Sequence, residues 1–180
     1  MPASRRLSQR ISEGDGIAII VHVADADAAR AAEEEGAKAV AVGEPIDGIR
    51  DSTRLPLLWV GPGEPHDADA VTLRPEDEHP RRDGCETVVD VRDEEELELA
   101  LERLDPEIFL LSAGGDDRDR DQVDAVLELL PDVPAGKLAI AEVDVTSRDE
   151  VLALERAGID AVLVPAGSVA ELVGERPPDV

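Results

Sequence analysis

The stretch ETVVDVRDEEELELALERLDPEIFLLS, residues 86–112, joins a β-branched run, an acidic amphipathic run and a second apolar run. Its first six residues have the length and composition of a strand. RDEEELELALERLD places Leu97, Leu99, Leu101 and Leu104 on an amphipathic helix, and EIFLLS (107–112) is again a strand. The same unit recurs downstream. DRDQVDAVLELLP predicts a helix ended by Pro131. KLAIAEV (137–143) is a strand. TSRDEVLALERAG predicts a helix with Thr146 or Ser147 as N-cap, Glu150 placed for a capping box and Gly158 as C-cap. DAVLVP (160–165) is a strand, and SVAELVG a last short helix. Near-continuous apolar strands separated by helices indicate a parallel sheet buried on both faces.

Upstream, the pattern continues with thinner helices. IAIIVHV (17–23) is a strand, and ADADAARAAEEEGA a helix with Asp25 as N-cap and Gly36 as its stop. KAVAVG (38–43), LPLLWVG (55–61) and AVTLR (70–74) are further strands. IDGIRDSTR has room for a turn or two of helix. GPGEPHDAD and PEDEHPRRDG are breaker-rich loops. Eight strand runs point to an α/β fold of the TIM-barrel type, a closed (β/α)8 barrel, rather than an open doubly wound sheet. Such barrels usually take about 200–250 residues. At 180 residues the barrel must be compact, with helices shortened or missing after strands two, three and four. An open sheet of fewer strands is the structural alternative. The expected organisation is an N-terminal arm (1–15), one barrel domain (16–175) and a short tail (176–180).

Charge narrows the partners. Asp and Glu number 43 against 18 Lys and Arg, a formal net charge of −25. Such a field repels phosphate backbones and anionic lipid, so neither nucleic acid nor a membrane surface is expected as a partner. Trp59 and Phe109 are the only aromatic residues, which removes stacking platforms for bases. No apolar run is long enough to span a bilayer, and MPASRRLSQRISEGDG lacks the core of a secretory signal. Cys85 is the only cysteine, which fits a cytoplasmic location. Lys38 and Lys137 are the only lysines. An acidic, lysine-poor surface fits adaptation to high salt, and a GC-rich genome gives the same bias. The runs Glu33–Glu35 and Glu94–Glu96 read as solvated helix faces.

No dinucleotide fingerprint, P-loop, zinc-ligand spacing or nucleophile elbow occurs, so no cofactor and no metal are expected. His22 ends the first strand; His66 and His79 fall in loops with acidic neighbours. Trp59 reads as cover for strand surface left open by a missing third helix. Cys85 reads as a structural thiol. Gly114-Gly115, before Asp116 and Asp117, reads more readily as a turn than as an anion site.

The second half resembles indole-3-glycerol phosphate synthase, a (β/α)8 enzyme of tryptophan biosynthesis. ETVVDVRDEEELELAL is similar to that family's fifth strand and helix. LLPDVPAGKLAIAEVDVTSRDEVLALERAGIDAVLVPAGSV (129–169) is similar to its last two units. AKAVAVGEP and LPLLWVG are fainter echoes of the second and third strands. The resemblance implies lyase chemistry at the C-terminal ends of the strands: two lysines, glutamates and an asparagine close an indole ring on an amino-phosphosugar. It also implies a phosphate held by backbone after the last strands. Carried over, Ile19 and Val21 stand where a glutamate and a lysine are expected, and Val60 stands at the catalytic lysine position. Asp90 replaces a glutamate and Glu142 is retained. Val143 and Asp144 replace a serine and a glycine, Ser112-Ala113 replaces paired asparagines, and Pro165-Ala166-Gly167 replaces Gly-Glu-Ser.

Three readings of function follow. The first is a diverged homologue that has lost the lyase activity and keeps a small phosphorylated or anionic metabolite at Gly167 and Ser168. The second is an enzyme with altered acid–base chemistry on a phosphosugar-like substrate, using Asp90 and Glu142. The third is a non-catalytic structural or interaction barrel with an apolar-filled mouth. Against the sharper readings, Asp90 and Glu142 are also explained as inherited polar residues paired to an arginine or water, and Ser168 as a plain N-cap. By this alignment Val21 and Val23 face inward and His22 faces the helix layer, an assignment that a one-residue slip reverses.

Overall fold

The structure, a computed structural model, describes residues 5–14, 16–62, 65, 68–77, 84–113 and 121–173. His66, His79, Gly114-Gly115 and the tail 176–180 lie outside them. Eight parallel strands close into a barrel in sequence order: β1 (Ala18–His22), β2 (Ala39–Val42), β3 (Leu57–Trp59), β4 (Ala70–Leu73), β5 (Glu86–Val91), β6 (Ile108–Ser112), β7 (Leu138–Glu142) and β8 (Ala161–Val164). β8 pairs with β1 from Ala18–Ala161 to Val21–Val164, so no edge is left open. The eight expected strands are all present, and the open-sheet alternative falls.

The helices are α1 (Arg6–Ser12), α2 (Ala26–Glu35), α3 (Ile49–Ser52), α4 (Glu94–Arg103), α5 (Gln122–Leu129), α6 (Arg148–Ala157) and α7 (Ala170–Val173). The starts of the longer helices α2, α4, α5 and α6 are capped by side chains, as their sequences dictate. Asp25 accepts the Ala28 amide at 2.7 Å, and Asp93 accepts that of Glu96 at 2.8 Å. Ser147 accepts the Glu150 amide, while Glu150 reaches back to the Thr146 amide at 2.9 Å. On α4 the buried positions are Leu97 and Ala100; Leu99 stays half-exposed, unlike its sequence expectation. No helix is described between β3 and β4, or between β4 and β5. Trp59 faces outward there, buried in the layer between sheet and helices. Among the described residues no helix is long and apolar enough to cross a membrane.

The register sets what lies inside. Cα partners followed from His22 through Ala41, Leu58, Ala70 and Glu86, with the remaining registers extended, return to β1 eight residues earlier, at Gly14. That stagger is the one an eight-stranded α/β barrel needs. Inward side chains therefore stack in rings of four from alternate strands. Ala39, Ala70, Ile108 and Ala161 form a low ring; Ile20, Leu58, Val88 and Ile140 lie above it. Ala41, Thr72, Leu110 and Leu163 form the next ring. The ring above holds His22, Val60, Asp90 and Glu142.

This register corrects the expected orientation of β1. Val21 and Val23 belong to the outer layer between strands and helices, together with Val40, Val42 and Trp59. Ala18 and Ile20 belong to the interior, so His22 points into the mouth. Val21 is therefore not the counterpart of an inward lysine. Ile20 and His22 occupy the inward positions, one residue further along than Ile19 and Val21.

The opposite end of the barrel is closed by α1. Leu7 and Ile11 are buried in the interior cluster beneath the rings. The amides of Leu7 and Ser8 donate to the Glu86 carboxylate at 2.7 and 3.1 Å. Arg6 donates to Asp69 at 3.0 Å, and Asp69 also accepts from Arg50 and from the Leu57 amide. Asp69 and Glu86 are buried carboxylates whose oxygens are hydrogen-bonded, as buried charge requires.

Candidate active site at the barrel mouth

Active sites of such barrels lie where the strands end. Here three polar side chains converge there above an apolar interior. β1 supplies His22, β5 supplies Asp90 and β7 supplies Glu142; Val60 of β3 completes the ring. The lysines are elsewhere: Lys38 and Lys137 precede β2 and β7 at the N-terminal face, and Lys137 pairs with Asp105 at 2.7 Å.

Asp90 is held on both oxygens. The Ser112 hydroxyl donates to Oδ1 at 2.6 Å. Arg74 donates to Oδ2 at 3.3 Å and to the Asp90 carbonyl oxygen. Arg74 also pairs with Glu96 and Glu76, and Glu96 accepts the Arg92 amide at 2.7 Å. The Arg92 guanidinium lies 3.9 Å from Asp90. One member of the acidic run Glu94–Glu96 thus braces the mouth rather than merely facing solvent.

Glu142 is different. Among the described residues it has no hydrogen-bond partner, and it borders a cavity of about 350 Å³ with His22, Ser112, Gln122, Asp144, Leu163 and Pro165. Its tip is open to that space, yet the surrounding mouth removes enough water to raise its carboxyl above the ordinary value. The charge of Asp90 adds to the rise, and that of Arg92 opposes it. The His22 imidazole is half-buried, and burial lowers its pKa. The rim on this side is set by Gln122, whose side-chain oxygen accepts the Asp144 amide at 3.0 Å.

The expected phosphate position is occupied by the chain itself. Ser168 donates its hydroxyl to one Glu35 oxygen at 3.0 Å, and the Val169 amide donates to the other at 2.8 Å. Gly167, with φ at +149°, has open space around it. Glu35 comes from the acidic run that ends α2, and Glu33 of the same run accepts the Arg54 amide at 3.1 Å, so the solvated reading of Glu33–Glu35 fails at both of its ends. Cys85 donates to the Ala68 carbonyl oxygen at 3.2 Å, away from the mouth. Among the described residues no cluster of three or more metal-ligating side chains occurs.

No family model matches the chain. It is 32% identical over 93 residues to the indole-3-glycerol phosphate synthase of Chlorobaculum tepidum, covering 48% of this chain and 34% of the relative. It is 35% identical over 85 residues to that of Variovorax paradoxus, covering 45% and 30%. The matches thus span about a third of the length of those relatives. In fold, the chain superposes on a geranylgeranylglyceryl phosphate synthase of Thermoplasma acidophilum solved with sn-glycerol-1-phosphate (TM-score 0.64, 14% identity, 96% of this chain and 97% of that one). It also superposes on the N-acetylmannosamine-6-phosphate 2-epimerase of Clostridium perfringens (TM-score 0.63, 16% identity, 86% and 87%). The chain is a closed (β/α)8 barrel whose sequence, over just under half its length, is similar to indole-3-glycerol phosphate synthases.

Proposed function

We propose that the mouth is a small-molecule site at which Glu142 performs acid–base chemistry on a phosphosugar-like metabolite beside the fixed anion Asp90. The observation that carries this reading is the ring itself. Two carboxylates, from β5 and β7, stand in one layer over an apolar interior, one of them locked and the other open to a cavity. The raised proton affinity of Glu142 suits a group that exchanges protons with a ligand. The phosphosugar class is supported by the relatives and neighbours, whose names all contain a phosphorylated compound.

The lyase reaction of the relatives is not part of this proposal. Val60 offers no proton, no lysine reaches the mouth, and Ile20 replaces the inward carboxylate of β1. A polar ring and an open cavity also weigh against a purely structural barrel with an apolar-filled mouth. Phosphate binding at Gly167 and Ser168 remains part of the reading, in competition with Glu35 for the same donors. Domain limits of 16–175, a cytoplasmic setting and descent from the tryptophan-pathway enzyme complete it.

The test has two arms. Turnover of carboxyphenylamino-deoxyribulose phosphate, followed by indole fluorescence at low and multimolar salt, is expected to be absent. Turnover that E142Q abolishes overturns the loss of lyase activity. Melting-temperature shifts with ribulose 5-phosphate and with inorganic phosphate are the second arm. Stabilisation by the sugar phosphate beyond inorganic phosphate is expected, and none with either overturns the ligand class.

A further inference from the structure

We propose that His22 is the second proton-transfer group of the mouth, working opposite Glu142 across β8 on a small hydroxycarbonyl compound. This rests on the acid–base reading of the site and adds to it a residue, a division of labour and a reaction class.

Position comes first. β1 and β7 flank β8, and His22 and Glu142 occupy the same ring on those strands. Adjacent strands are separated by about 4.8 Å, so the two backbones stand roughly 10 Å apart. Both side chains border one cavity, with Leu163 and Pro165 of β8 between them. They make no hydrogen bond to each other, and neither has one to any described residue. The space they share is that cavity of about 350 Å³, room for a small ligand. Asp90 and Ser112, in contrast, already satisfy each other.

The surroundings then divide the roles. Burial lowers the proton affinity of the imidazole, while the mouth and the charge of Asp90 raise that of the carboxyl, so a basic nitrogen and a carboxyl of raised proton affinity border the same space. The charged groups facing them are Asp90 and Arg92 of the β5 end and Asp144 after β7. β6 and α5 present Ser112 and Gln122, β2 presents Ala41, and β8 and the residue after it present Leu163 and Pro165, none of them charged.

A C–H proton can leave only if a neighbouring carbonyl takes up the electron pair. Neutral His22 takes the proton from the hydroxyl-bearing carbon. The C–H pair becomes a C=C bond, and the carbonyl oxygen takes the proton of Glu142. The resulting enediol returns a proton to the adjacent carbon by the reverse transfers. Protons and electrons balance with no co-reactant, and the reaction class is an isomerisation that moves the carbonyl to the neighbouring carbon.

Two measurements decide it. The first is the NMR titration of His22 in the wild-type protein and in E142Q, with D144N as a second carboxylate variant. E142Q is expected to lower the proton affinity of His22 two-fold or more, and more than D144N does. By linkage, H22N raises the proton affinity of Glu142 by the same factor. An unchanged titration in both directions overturns the pairing. The second is deuterium uptake from D2O into carbon-bound positions of ribulose 5-phosphate. H22N and E142Q are each expected to slow it by about 100-fold or more while sugar-phosphate binding stays within a few-fold. Uptake unaffected by H22N, or absent from a wild-type protein that binds the sugar phosphate, overturns the proton-transfer role. Failure to bind any sugar phosphate while His22 and Glu142 titrate as a pair overturns the ligand class instead.

Discussion

The Ser112 hydroxyl donates to Asp90 Oδ1 at 2.6 Å, which holds Asp90 as a fixed carboxylate at the mouth. With Arg74 on the other oxygen, each Asp90 oxygen already has a protein partner. Its influence on the site is electrostatic. It makes ionisation of Glu142 harder, and Arg92 makes it easier.

D90N is therefore expected to lower the Glu142 pKa, and R92Q to raise it. Carboxyl-carbon NMR of Glu142 in the two variants reads both signs. A Glu142 midpoint that moves in the same direction in both variants contradicts the assignment of charges to this site.

Glu142 also links stability to pH. Its folded pKa lies above the unfolded value of about 4.5, so the folded protein binds the proton more tightly. Stability from this group is full below the unfolded pKa and falls as pH rises through the folded one. E142Q removes that loss. The variant is expected to melt higher than wild type at pH 7.5 and to lose the advantage at pH 4. His22 acts with the opposite slope. Its folded pKa lies below 6.5, so stability falls as pH drops below the unfolded value. H22N should flatten the melting profile on the acid side of pH 6.5.

Much of this fold was legible, because each strand is a compact β-branched run and the longer helices carry their own caps. The face of β1 was not. IAIIVHV is apolar almost throughout, so it has no alternation to tell inside from outside. Only pairing with Ala39–Ala41 and Ala161–Val164 fixes its parity, and that parity decides whether His22 or Val21 meets a ligand. Asp90 and Glu142 were legible through the resemblance, as counterparts of glutamates on the fifth and seventh strands. Glu33, Glu35 and Glu96 were hidden in acidic runs, where a member making a tertiary contact looks like its neighbours. For α1, the spacing of Leu7 and Ile11 was the available signal, since i and i+4 share one helix face.

Glu35 places a carboxylate on the Ser168 hydroxyl and the Val169 amide, the donors that an incoming phosphate would use. E35A should free them and remove a repelling charge. Ribulose 5-phosphate is expected to bind about three- to ten-fold more tightly to E35A, read by calorimetry. Fold stability should fall by only about 1 kcal/mol, the net worth of such contacts. Unchanged affinity would place the phosphate group elsewhere than Gly167 and Ser168.

At the opposite end, α1 closes the barrel with one fully buried leucine and one buried carboxylate. Leu7→Ala removes packing that nothing else can supply, at a cost of about 3 kcal/mol. E86A leaves the amides of Leu7 and Ser8 without their acceptor, at about 2 kcal/mol. Urea unfolding measures both. The titration of Glu142, at the other end of the barrel, should not change in either variant. A shift there would mean that the plug and the mouth are coupled through the interior.

The mouth is held in shape where β2 and β3 end. A Cβ added to Gly61 would lie 2.0 Å from the Gly43 carbonyl oxygen and 2.7 Å from its carbon. These are backbone atoms, so the strain cannot be relieved by turning a side chain. The Val60 amide donates to the Val42 carbonyl oxygen at 2.9 Å beside this contact, and any separation of the strands stretches that bond first. G61A should therefore cost on the order of 3 kcal/mol and loosen the mouth beside Val60. Gly43 is the internal control. Its own Cβ would meet nothing within 4 Å, so G43A should leave stability within about 0.5 kcal/mol of wild type. Hydrogen exchange of the Val60 amide separates the two cases. Faster exchange in G61A with wild-type exchange in G43A locates the requirement in the approach of the two chains. Equal effects in both variants would instead assign it to glycine flexibility at the ends of the strands.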